Sequence, residues 1–228
     1  MVKRISDLVF FIKKNQERYI RLVSPMGSII SRLGIHPNVL TITGFLGSTL
    51  TAIALAVGSF FLAALLMILS GTCDILDGQV ARKSGKMTRF GAFLDSTLDR
   101  YSDLFPLAGL AFYFGGGGAM FQAHDAELEK SAYPWTVLVI TLAMVGSVMV
   151  SYIRARAEGL GSDCKIGFMQ RPERTVLLIV GCLVGSLPKI GLLLLQTMLI
   201  LLALSSNITA IHRFIHVCKH LKNEEASH

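Results

Sequence analysis

The sequence predicts an all-α integral membrane protein with six transmembrane helices preceded by an N-terminal amphipathic juxtamembrane helix, and three observations predict it. Hydrophobic residues make up 52% of the 228-residue chain and charged residues only 16%. The mean hydropathy of +0.57 exceeds what one soluble core requires. Apolar runs approaching the roughly 20 residues that cross a bilayer recur along most of the chain and leave no room for a separate soluble domain. The basic residues behind the net charge of +7 collect in short segments between those runs, where anionic headgroups lie, so the charge reads as a lipid-surface feature and not as a nucleic-acid footprint.

Residues 1–35 form an interfacial or cytoplasmic helical segment. Ile5, Leu8, Val9 and Ile12 recur at helical spacing among Lys3, Arg4, Asp7, Lys13 and Lys14, the pattern of a helix lying in the headgroup plane or capping the bundle. Residues 36–215 form the membrane domain. After the turn His36-Pro37-Asn38, the first span runs from Val39 to Val57, and the second starts at Phe60. A basic loop with Arg82, Lys83, Lys86 and Arg89 leads to a third span from Phe90 to Phe114, followed by a loop at Gly115–Gly118. A polar segment from Gln122 to Tyr133 precedes the fourth span, Trp135 to Ile153, with Tyr133 and Trp135 suited to an interface. A second basic loop with Arg154, Arg156, Lys165, Arg171 and Arg174 leads to a short fifth span, Thr175 to Leu187, and a sixth, Ile190 to Ile211. Residues 216–228 are a cytoplasmic tail. Six spans place the basic loops, with Arg213, Lys219 and Lys222, on one side, which the positive-inside rule makes cytoplasmic. The four cysteines have neither C-x-x-C pairing nor zinc-ligand spacing and read as small apolar residues.

Against this apolar background the stretch Cys73–Arg100 stands out, because it carries Asp74, Asp77, Asp95 and Asp99. An ionised carboxylate inside a bilayer helix costs several kcal/mol and usually faces the bundle interior. Asp74 and Asp77 are three apart, and Asp95 and Asp99 four apart, so each pair occupies one face of its helix. Solvation at a span end accounts for one pair alone; two pairs, each beside a glycine (Gly78, Gly91), call for a shared partner. Clustered carboxylates need protons or cations, and their hard oxygens suit Mg²⁺ or Mn²⁺. The neighbouring Arg82, Lys83, Lys86 and Arg89 suit a phosphate-bearing substrate.

The pattern Asp74-x-x-Asp77-Gly78-x-x-Ala81-Arg82, eight residues, Gly91, three residues, Asp95, three residues, Asp99 resembles the full signature of the CDP-alcohol phosphotransferases. That resemblance extends over nearly the whole chain. It implies an enzyme that transfers a phosphatidyl group from CDP-diacylglycerol to an alcohol and releases CMP, acting as a homodimer at the cytoplasmic face of the cell membrane. It implies that Asp74, Asp77, Asp95 and Asp99 hold two divalent cations, Mg²⁺ or Mn²⁺. It implies further that Asp74, Gly78, Arg82 and Thr88 bind the CDP moiety, and that Asp99 is the general base.

The stretch Ser151–Arg174 resembles the branch of that family whose acceptor is inositol 1-phosphate, giving phosphatidylinositol phosphate. By that resemblance Ser151, Arg154, Arg156, Arg171 and Arg174 bind the acceptor phosphate, with Glu158 and Glu173 orienting the arginines. Glycerol 3-phosphate is the alternative acceptor, and a positive-inside anchor is the alternative account of the arginines. A divalent-cation transporter is the competing reading of the carboxylates.

Overall fold

The computed structural model describes residues 18–85, 87–120, 132–162, 164 and 166–226. All regular structure among the described residues is helical. Helix α1 covers residues 18–32, followed by α2 (Pro37–Ala56), α3 (Phe60–Ser84), α4 (Arg89–Phe114), α5 (Pro134–Gly159), α6 (Arg171–Gly185) and α7 (Gly191–Ala226). The expected amphipathic segment around Ile5–Ile12, most of the polar stretch after Gln122, and Lys86 and Lys165 lie outside the described residues.

Four helices, α2, α3, α5 and α7, are long and apolar enough to cross a membrane. Helix α4, with 26 residues, extends about 39 Å, but Asp95, Asp99, Arg100 and Asp103 interrupt its apolar character. Helix α6 has 15 residues, about 22 Å against a hydrocarbon core of about 30 Å. It starts at Arg171, four residues before the expected Thr175, because Pro172 occupies its first turn, where the missing N–H and preset φ favour a helix start. The Gly115–Gly118 run, expected as a plain loop, passes into a 3₁₀ turn at Gly117–Met120. Helix α7 continues through the expected boundary at 215–216 to Ala226.

The chain divides into two compact units, Met1–Thr49 with Leu65–Ser102, and Leu50–Ala64 with Asp103–His228. In the first unit α2 and α3 approach closely through small residues. A Cβ on Gly47 would lie 3.2 Å from Ser70 Cβ, and Ser70 Oγ donates to the Gly44 carbonyl at 2.6 Å. Small residues of this kind let membrane helices gain dispersion contacts that apolar bulk alone does not supply in lipid. Helix α1 joins α3 through Lys83 Nζ, which donates to Ser28 Oγ at 2.7 Å, and through a 2.5 Å hydroxyl contact between Tyr19 and Thr72. Its other side leaves Leu22, Met26, Ile29 and Leu33 exposed.

In the second unit α5 and α6 both pack on α7. Val150, Ile153 and Ala210 are buried together, and Gln196 Nε2 donates to Thr136 Oγ1 at 3.0 Å. Gly109 brings α4 against the end of α2 so closely that a Cβ there would lie 2.2 Å from the Ala52 carbonyl oxygen.

Candidate active site

The metal and nucleotide residues expected from the sequence all fall in the first unit. Asp74, Asp77, Gly78 and Arg82 lie on the second half of α3, and Asp95 and Asp99 on the first half of α4. Asp77 is 5% exposed, and its Oδ2 accepts a 2.7 Å hydrogen bond from Thr41 Oγ1. The same hydroxyl lies 3.3 Å from the Pro37 carbonyl one helical turn back. Asp77 is within electrostatic reach of Asp95 from α4 and Asp74 from its own helix. Asp74 reaches toward α2, where a Cβ on Gly44 would lie 2.6 Å from its Oδ1. Thr41 and Gly44 are therefore part of the site, and both escape a reading that attends to charge alone.

The glycines of the motif have distinct surroundings. A Cβ on Gly78 would meet the Arg82 guanidinium at 3.4 Å, so Arg82 folds back over the bare backbone one turn before it. Gly91 keeps open a space bounded by Thr88 Oγ1 and Asn38 Oδ1, 3.0 and 3.2 Å from its would-be Cβ. Thr88 Oγ1 accepts from the Gly91 N–H at 2.9 Å and so caps the start of α4. His36 accepts the Asn38 N–H on its Nδ1 at 3.3 Å, which makes it a helix-start residue of α2.

The donors brought into this region are carboxylate oxygens, the chemistry that suits a hard divalent cation. Among the described residues no three His, Cys, Asp or Glu side chains close around one point. Like-charged carboxylates disfavour such closure until a cation draws them in. The donor set thus fits such an ion in kind.

The acceptor residues expected from the sequence all fall in the second unit. Arg154 Nε donates to Glu158 Oε1 at 2.8 Å along α5, as expected, while Ser151 is partly exposed and Arg156 exposed. Arg171 and Arg174 meet a residue absent from the expectations, Asp103. Its Oδ1 accepts from Arg171 Nε at 3.1 Å and its Oδ2 from Arg174 Nη2 at 2.8 Å. Arg174 Nη1 also donates to the Ser147 carbonyl at 3.2 Å. Glu173, expected to orient the arginines, is buried with its Oε2 lacking a hydrogen-bond partner but lies within electrostatic reach of Arg174, while Asp103 makes the direct contacts to both arginines. The signal was present in the sequence, because Asp103 continues the four-residue step from Asp95 to Asp99.

Arg213 also departs from its expected place among the flanking headgroup charges. It is 3% exposed and donates from Nε to the Ile166 carbonyl at 2.7 Å and from Nη1 to the Val150 carbonyl at 2.8 Å.

Residues 34–216 match the pattern of the CDP-alcohol phosphatidyltransferase family. The archaetidylinositol phosphate synthase of Methanothermobacter thermautotrophicus is 37% identical over 202 residues, covering 89% of this chain and 91% of that protein. The crystal structure of Mycobacterium tuberculosis phosphatidylinositol phosphate synthase with CDP-DAG bound superposes with a TM-score of 0.72 at 33% identity, covering 86% of this chain and 94% of that one. The same enzyme in complex with manganese and citrate gives a TM-score of 0.71 at 34% identity, covering 86% and 88%. With the complete Asp signature on α3 and α4 and likeness along nearly its whole length, this integral membrane protein belongs to the CDP-alcohol phosphatidyltransferase family and is a transferase of phospholipid biosynthesis.

Proposed function

We propose that the protein transfers the phosphatidyl group of CDP-diacylglycerol to inositol 1-phosphate, giving phosphatidylinositol phosphate and CMP. The observation that carries the acceptor assignment is the gathering of Arg171 and Arg174 at one carboxylate, Asp103, which brings together two guanidinium groups of the kind that bind an acceptor bearing phosphate. The names of the archaeal relative and the mycobacterial structure support the same choice.

Asp74, Asp77, Asp95 and Asp99 would hold two divalent ions, Mg²⁺ or Mn²⁺; the manganese complex of the mycobacterial enzyme supports a metal of this kind. Bound there, such ions would supply Lewis-acid neutralisation of the diphosphate and of the departing CMP. Thr41 holds Asp77 in place, and Gly44 leaves room for Asp74. Arg82, Gly78, Thr88 and Asp74 bind the CDP moiety. Asp99 accepts the proton of the acceptor hydroxyl as its oxygen forms the new bond to phosphorus and the bond from phosphorus to CMP breaks. Ser151, Arg154 and Arg156 join Arg171 and Arg174 at the acceptor phosphate.

The chain crosses the cytoplasmic membrane six times in this reading, α4 and α6 joining the four apolar helices, with the active site facing the cytoplasm. Its short α6 is accommodated by local thinning or by flanking residues that reach the interface. The protein acts as a homodimer.

The test is CMP release by purified protein with CDP-diacylglycerol and Mg²⁺, offered inositol 1-phosphate, glycerol 3-phosphate, inositol or serine. Release with inositol 1-phosphate, abolished by EDTA and by Asp99→Asn, is expected. Release with another acceptor alone would overturn the acceptor assignment. Metal flux into vesicles without nucleotide turnover would favour cation transport instead.

A further inference from the structure

We infer that His216 and His220 form a chelating site for a divalent transition-metal cation of the copper, nickel and zinc class, on the exposed face of the last turns of α7. The site draws on a donor chemistry that the Asp motif lacks, and it does not depend on the acceptor assignment.

The two imidazoles stand four residues apart on one helix face, the spacing at which paired helical histidines grip one metal ion. Their rings stack at an interplanar angle of 6° with centroids 6.5 Å apart. Two imidazoles that each place a nitrogen about 2 Å from one ion have centroids roughly 5 Å apart at a tetrahedral angle. Closing the remaining distance, about 1.5 Å, needs only ring rotation within the broad χ2 wells of histidine, and both side chains are exposed. One nitrogen of each ring suffices, because ligating histidines generally keep a second partner on the other. A further interaction of His220 and ligation therefore do not exclude each other.

Position gives the site access. Helix α7 has 36 residues, about 54 Å against a hydrocarbon core of about 30 Å, so its polar end extends past a membrane span. Three cationic side chains share this stretch. Arg213 is buried and directed at the Ile166 and Val150 carbonyls, while Lys219 and Lys222 are exposed. The lysines oppose any cation, but water screens charges so exposed, and imidazole binds through a nitrogen lone pair and not through net charge. That donor favours copper, nickel and zinc, whereas carboxylate oxygens suit Mg²⁺ and Mn²⁺. Among the described residues no third His, Cys, Asp or Glu completes a cage. Water fills the other coordination positions, and the ion exchanges as it would not in a closed four-ligand site.

The test uses the full-length protein in detergent, purified without a polyhistidine tag and kept in a large excess of Mg²⁺ to compete at the carboxylates. Cu²⁺ is titrated, and pulsed electron paramagnetic resonance counts the imidazoles bound to it through their remote nitrogens. Two are expected. His216→Gln and His220→Gln keep a polar side chain of good helix propensity, and equal melting temperatures without metal would show that they fold. Each should weaken Cu²⁺ binding about 100-fold, the scale of losing one arm of a bivalent contact, and abolish the two-imidazole signal. The double variant should fall far short of the summed losses, because either substitution alone destroys the chelate. His212→Gln should bind as the unsubstituted protein does. Unchanged Cu²⁺ affinity in His216→Gln or His220→Gln would overturn the inference. So would a spectrum without two imidazoles, fully additive losses in the double variant, or a loss in His212→Gln as large as that in His220→Gln.

Discussion

The Thr41 hydroxyl donates to Asp77 Oδ2 across 2.7 Å and so ties α2 to the buried carboxylate of the Asp motif. A hydroxyl that orients a metal-binding carboxylate contributes through that carboxylate, and losing such a partner commonly costs 10–100-fold in metal affinity or activity. Thr41→Val keeps the side-chain shape and removes the donor. We expect CMP release at limiting Mg²⁺ to fall at least about tenfold, with partial recovery at high Mg²⁺, and Thr41→Ser to restore most of it. An unchanged Mg²⁺ titration in Thr41→Val would show that Asp77 needs no help from α2.

Gly44 and Gly71 offer a paired test of how α2 serves the site. A Cβ at Gly44 would lie 2.6 Å from Asp74 Oδ1, whereas one at Gly71 meets nothing within 4 Å. The atom in the way at Gly44 is the end of a flexible side chain, so Asp74 can swing aside and the fold can survive. Gly44→Ala is therefore expected to cost activity, about tenfold or more, with little change in melting temperature. Gly71→Ala should leave both nearly unchanged. A Gly44→Ala protein with full activity would mean that Asp74 works from another position.

Much of this arrangement was legible because charge inside an apolar chain is conspicuous. The Asp74/Asp77 and Asp95/Asp99 pairs stand on α3 and α4 as their spacing requires, and the expected first span, Val39–Val57, nearly coincides with α2. What escaped was polar but uncharged, or charged but attributed to the wrong cause. Thr41 in an apolar helix looks like any threonine bonded to its own backbone, a contact it also makes, and Gly44 is indistinguishable from a helix-packing glycine until the facing residue is known. Asp103 followed the visible four-residue step yet lies outside the family signature. Arg213 resembled an interfacial anchor because periodicity does not tell an outward basic residue from one buried against carbonyls.

Gly109 bears on stability and not on chemistry. Its would-be Cβ lies 2.2 Å from the Ala52 carbonyl oxygen and 2.9 Å from Ala52 Cα, and backbone cannot rotate out of the way as a side chain does. Gly109→Ala should force α4 from the end of α2 and cost about 1–3 kcal/mol or more, the range for overpacking a filled core. A melting temperature several degrees lower in detergent is the expected result. A melting temperature equal to that of the unsubstituted protein would show that the crossing tolerates separation.

Arg213 makes the strongest case for a buried charge with a structural purpose. It spans from α7 to the Val150 carbonyl of α5 and the Ile166 carbonyl of the segment leading to α6, so one side chain fastens the connection between Arg156 and Arg171. Gly167, with φ of +108° and a would-be Cβ 2.6 Å from Thr209 Cγ2, lets that connection lie close against α7. Arg213→Met keeps the length and apolar stem but removes both donors, each a charged-group hydrogen bond of about 1.5–3 kcal/mol. Arg213→Lys keeps the charge but replaces the planar fork by a point donor that matches two divergent carbonyls poorly. Both variants should melt earlier, Met more than Lys, and both should be cut faster by protease between residues 160 and 170. Because Arg171 begins α6 just beyond this segment, acceptor KM should rise in Arg213→Lys while KM for the CDP-lipid stays constant. Equal cleavage rates in the variants and the unsubstituted protein would mean that the segment is held by its own packing and that the arginine is incidental to it.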